Sequence, residues 1–118
     1  MSTSNTKSWE GLTISRELKI GVLFAGTRHK KFTLRVPMAG DLINAQKAYP
    51  SGPIRLQALE CYRQQLLQLG DIPAENLTIE LLSNELSEID LGLLEVADEA
   101  LGKALSEPPE EANSETGG

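Results

Sequence analysis

At 118 residues with five aromatic side chains, the chain has material for one small domain with a thin core of Leu, Ile, Val and Ala. Its single cysteine, Cys61, excludes an intramolecular disulfide, and no apolar run approaches the ~20 residues of a membrane span. The net charge of −6 is split: residues 1–70 hold ten Lys/Arg and four Asp/Glu, residues 71–118 one Lys and thirteen Asp/Glu. Such a split allows attraction between the halves, between copies, or toward a basic partner.

Residues 1–8 are polar and read as a flexible N-terminus. They hold no apolar segment of the secretory kind, so the expected location is the cytoplasm. From Leu12 the even positions are apolar: Leu12, Ile14, Leu18, Ile20, Val22 and Phe24, broken only at Arg16. That period of two predicts a strand, or two short ones with a bulge near Arg16. Residues 25–30 predict a turn, with Gly26 free to take a positive φ. Lys31 to Val36 alternates again, with Phe32, Leu34 and Val36 on one side and Thr33 and Arg35 on the other. The pair makes an antiparallel hairpin, and Pro37 stops its pairing because it has no N–H.

Ala39 to Tyr49 reads as a helix with Leu42, Ala45 and Tyr49 on one face. Asp41 lies in its first turn, where a carboxylate meets unpaired N–H groups and the positive dipole end. A second helix is expected from Pro53 to Leu69, its stripe of Ile54, Ala58, Tyr62, Leu66 and Leu69 covering the hairpin. Gly70 supplies its left-handed stop. One helical turn follows Pro73, then a short helix from Thr78 to Glu85. Ser87 and Asp90 have the spacing of a capping box, and Leu86 with Leu91 that of a hydrophobic staple. The last helix runs on through Leu94, Ala97, Leu101 and Leu105. Residues 106–118 carry almost nothing to bury and read as a disordered acidic tail. The expected organisation is one α+β domain over 9–105: an N-terminal antiparallel hairpin or small sheet, then a small bundle of three to four helices.

Catalytic and metal chemistry find little support in this sequence. His29, the only histidine, falls in the predicted turn and has no visible orienting partner. Cys61 lies beside an apolar helical stripe and reads as a small core hydrophobe. One His and one Cys far apart do not make a metal site. The glycines form no phosphate-cradling loop. The basic run from Arg28 to Lys31, with Arg35, lacks stacking aromatics on its polar side, which argues against nucleic acid. No cofactor, metal or enzymatic activity is expected. The last helix, by contrast, carries apolar residues on more than one side, which suits an interface. Leu94, Leu101 and Leu105 are the candidate partner-binding residues, and core burial accounts for them equally well.

The segment from Phe32 to Leu42 resembles the junction signature of the Mu-like phage tail assembly chaperones: a strand, Leu-Arg-x-Pro, a small residue, then Gly-Asp-Leu. Leu34, Arg35, Pro37, Gly40 and Asp41 match by position. Met38 stands where relatives often carry a hydroxyl residue. The likeness extends in plan over Leu12 to Leu105, but only Phe32 to Leu42 is specific. It implies a protein without catalysis that binds the long helical tape measure protein in the bacterial host and keeps it soluble until tail tube subunits take over. The matching residues, with Ser87 and Asp90, are read as architectural. Contact with the tube protein and self-association are further partners that such a role allows. Two other classes stay open: a small structural or adaptor subunit retained in the assembly, and an acidic regulator acting through its tail.

Overall fold

The computed structural model describes residues 9–106, which form an α+β fold. The expected flexible N-terminus and acidic tail lie outside the described residues, except that Ser106 closes the last helix instead of opening the tail. Strands β1 (Thr13–Phe24) and β2 (Thr27–Arg35) form the antiparallel hairpin. The turn needs two residues, not six. Ala25 and Gly26 both take positive φ, 53° and 80°, the geometry that a two-residue hairpin loop requires to match strand twist. Thr27 to Lys30 therefore belong to β2.

The predicted second helix ends early. α2 covers Ile54–Gln65, and Leu66–Leu69 leaves it as a third strand, β3, antiparallel to β2. A short apolar run fits a helix or a strand equally well. Here the open side of β2 offers unpaired backbone groups, and β3 satisfies them with Phe32 opposite Leu69 and Leu34 opposite Leu66. The sheet order is β1-β2-β3.

Gly70 does adopt the left-handed conformation, at φ +55°, but it ends a strand. Its N–H extends the ladder to the Lys31 carbonyl at 2.7 Å. A Cβ at this position meets the His29 ring and Cβ at 2.4–2.7 Å. His29 is thus no exposed loop residue. It is 9% exposed in β2, its Nδ1 accepting from the Asp71 N–H at 3.1 Å and its Nε2 3.2 Å from the Phe24 carbonyl. Gly70→Ala combines the left-handed penalty with displacement of that ring, and a loss of about 2 kcal/mol is expected in urea unfolding. His29→Ala keeps the Cβ that also lies in the way, so Gly70→Ala/His29→Ala should recover little of the loss.

The long strand β1 is broken farther along than Arg16. Glu17 faces Lys31, but the next pair is Val22 with His29, so β1 advances five residues while β2 moves two. Leu18 and Val22 on either side of this bulge are buried, whereas Ile20 within it is 39% exposed, against the alternation. Three N–H groups in the bulge turn to one buried side chain. Asp90 Oδ1 accepts from Lys19 N at 2.7 Å, and Oδ2 accepts from Ile20 N at 3.1 Å and Gly21 N at 2.8 Å. Asp90 is 0% exposed. The capping box is therefore half formed. Ser87 Oγ accepts from Asp90 N at 3.0 Å, but the Asp90 carboxylate reaches across to β1 instead of back to Ser87.

Four helices complete the described residues: α1 (Ala39–Ala48), α2, α3 (Ile79–Glu85) and α4 (Glu88–Ser106). Ala74–Asn76 forms a 3-10 turn after Pro73, and Thr78 Oγ1 caps α3 by accepting from Leu81 N at 3.1 Å. α4 packs along β1, and α1 pairs with α2. The core joins Leu18, Val22, Phe32 and Leu34 of the hairpin to Leu66 and Leu69 of β3 and to Leu94, Ala97 and Leu101 of α4. The other face of the sheet is polar, with Ser15 and Thr33 hydroxyls 2.9 Å apart.

Candidate docking surface

Arg35 ends β2 and Asp41 opens α1, with Pro37 between them. Two parallel hydrogen bonds of 2.8 Å join the guanidinium to both carboxylate oxygens. Asp41 Oδ2 also accepts from Met38 N at 2.8 Å, which caps the first turn while the Met38 side chain makes no cap bond. Arg35 Nη1 donates to the Val36 carbonyl at 2.9 Å, and its Cζ lies 5.3 Å from the Trp9 ring centre. Asp41 and Arg35 side chains are 7% and 13% exposed, so this is a nearly buried ion pair. Leu34 is core. Gly40 is exposed, and a methyl there meets nothing within 4 Å, so no packing requires glycine at that position. Of the five signature residues, Leu34, Arg35 and Asp41 thus have architectural contacts, while Pro37 and Gly40 are exposed.

The candidate partner-binding leucines separate. Leu94 and Leu101 are 1% and 2% exposed and belong to the core, so they are corrected to structural residues. With Asp90 and Ala97 they repeat at the spacing of a single buried helix face. Leu105, one turn beyond Leu101 and at the end of α4, is 60% exposed.

An apolar surface lies elsewhere. Beside Asp98, between α1, α2 and α4, runs an open groove of about 430 Å³. Pro37 and Leu42 form one wall, Ile54, Ala58 and Tyr62 the other. Leu42 is 50% exposed and Ile54 80%. The stripe predicted to cover the hairpin therefore faces outward over its first two turns. The opposite face of α2 fixes this rotation, with Leu59 packed against the core and Glu60 buried and held by the Arg63 guanidinium, Nε at 2.7 Å. With that face turned inward, Ile54 and Ala58 point to the open side. Gln65, farther along their stripe, closes the inner end of the groove at 2% exposure, its Nε2 donating to the Arg35 carbonyl at 3.0 Å and to Asp98 Oδ1 at 3.0 Å.

The groove's titratable groups sense carboxylates. Burial pushes the Tyr62 hydroxyl up to about 12, assisted by Asp98, Glu95 and Glu99. Cys61, half-buried on the groove wall and not a core residue as expected, has its thiol pushed up by burial, then by Asp41, Glu60 and Asp98. A thiol held protonated is a poor nucleophile. Among the described residues no cluster of three or more His, Cys, Asp or Glu is placed to hold a metal ion, and no helix is long and apolar enough to cross a membrane.

The chain matches no protein-family model, no curated protein and no solved structure.

Proposed function

We propose that this protein is a phage or prophage tail assembly chaperone that binds the tape measure protein in the host cytoplasm, without catalysis, metal or cofactor. The observation that carries this reading is the exposed groove of Leu42, Ile54, Ala58 and Tyr62. An apolar channel open to water is costly unless a partner covers it, and a helix laid in a groove is a recurrent means of covering one. The likeness of the Phe32 to Leu42 junction to the tail assembly chaperones supports the choice of partner. The buried Arg35–Asp41 pair positions α1 at the end of β2, and so holds one wall of the groove. Tube subunits must displace the chaperone, so each contact is modest, on the order of micromolar, or about −8 kcal/mol.

Co-expression tests this. The long helical tape measure protein encoded with this chain should be soluble in its presence, co-purify with it and aggregate without it. Equal solubility alone would refute the chaperone role. Stoichiometric recovery in purified virions would move the assignment to a structural or adaptor subunit.

A further inference from the structure

We infer that the groove between α1, α2 and α4 receives an amphipathic helix whose apolar stripe is flanked by lysine or arginine. This rests on the docking role proposed above and adds the chemistry of the occupant. The shape argument begins on α2. Ile54, Ala58 and Tyr62 are spaced one turn apart, large, small and large, along the groove. That row is a ridge with a notch at Ala58, which suits a side chain from the ridge of another helix. The notch and Ile54 are exposed, and no described element covers them.

The charge argument comes from α4. Asp98 lies in the groove wall, and Glu95 and Glu99 are exposed on neighbouring turns of the same helix. All three carboxylates act on Tyr62, and Asp98, Asp41 and Glu60 act on Cys61. Lys103, four residues past Glu99 on α4, is one positive charge against these three carboxylates, and three nearby arginines are already engaged. Arg35 is paired with Asp41, Arg63 with Glu60, and Arg55 with Glu88 at 2.6 Å. The exposed carboxylates of Glu95 and Glu99 beside an apolar channel favour a partner of positive charge and repel one of negative charge. Leu105, exposed two turns beyond Asp98, extends the apolar surface on the same helix face.

The test uses the full chain and three dye-labelled synthetic helices with one Leu/Ile stripe and flanks of Lys, Gln or Glu. Fluorescence anisotropy should rank them Lys, Gln, Glu, with at least a tenfold gap in Kd between the first and last. The gap should narrow between ~50 and ~300 mM salt as exposed charges are screened. Glu95→Gln/Glu99→Gln, which touches no hydrogen bond of the fold, should weaken the Lys helix several-fold and leave the Gln helix unchanged. Ile54→Asp should weaken the Lys and Gln helices, and either helix should protect Cys61 from N-ethylmaleimide. Equal affinity of the Lys and Gln helices, with Ile54→Asp weakening both, overturns the charge inference while leaving helix docking intact. Lys-helix binding that ignores Ile54→Asp and leaves Cys61 reactive is surface adsorption and overturns the inference. Binding by none of the three overturns it too, while co-expression with the native partner judges the docking role separately.

Discussion

Asp90→Ala is expected to cost about 4 kcal/mol, the largest effect of any single substitution considered. The carboxylate is fully buried and accepts from three successive backbone N–H groups in the β1 bulge. A hydrogen bond to a charged group contributes about 1.5–3 kcal/mol, and donors left without a partner cost more than the mean bond suggests. The bonds share one side chain, so their sum overstates the loss. Asp90→Asn keeps one acceptor oxygen but turns an NH2 toward the donors, and a loss of about 2–3 kcal/mol is expected. A first-turn carboxylate acting only through the helix dipole predicts a smaller loss, about 0.3–1 kcal/mol, and tolerance of Asp90→Glu. Urea unfolding of the three variants separates the two accounts, and hydrogen exchange at Lys19, Ile20 and Gly21 should quicken in Asp90→Ala. A loss below about 1 kcal/mol, with exchange unchanged, would show that the bulge does not depend on Asp90.

Asp41→Ala is expected to cost about 3 kcal/mol. Sequence alone supports about 0.5–2 kcal/mol, the range for a cap or a first-turn charge. The structure adds the loss of a bidentate partner for an Arg35 side chain that is only 13% exposed. Removing one member of a buried pair leaves an uncompensated charge, which is why such losses run to about 3–5 kcal/mol. The lower end applies here because Arg35 keeps its bond to the Val36 carbonyl and its contact with Trp9. Replacing both partners, in Arg35→Met/Asp41→Leu, should cost less than the sum of the single changes. Additive losses would mean that the pair contributes nothing as a pair.

The hairpin was legible because Phe32 and Leu34, and Leu18 and Val22, keep the parity of one sheet face. The bulge was not. The even apolar positions run through it unbroken, and its anchor, Asp90, lies about 70 residues away in sequence. β3 was hidden because Leu66, Leu67 and Leu69 continue the apolar stripe of α2, and only the free side of β2 decides against the helix. The core role of Leu94 and Leu101 was contained in their spacing from Asp90 and Ala97. The excess of apolar residues on α4 suited an interface equally well. The groove was half legible: the Ile54–Ala58–Tyr62 stripe was visible, but its outward direction depends on Leu59 packing on the core and Glu60 being buried with Arg63 from the opposite face of α2. That choice of face is made only by the tertiary fold.

The central claim is that exposed groove residues, and not the leucines of α4's buried face, hold the partner. Leu42→Asp/Ile54→Asp tests it most directly, since both side chains are at least half exposed and their loss should leave the melting temperature within a few degrees of the parent's. In co-purification with the tape measure protein, the account predicts a folded double variant that no longer retains or solubilises the partner. A folded double variant that binds and solubilises it as well as the parent chain would contradict the account.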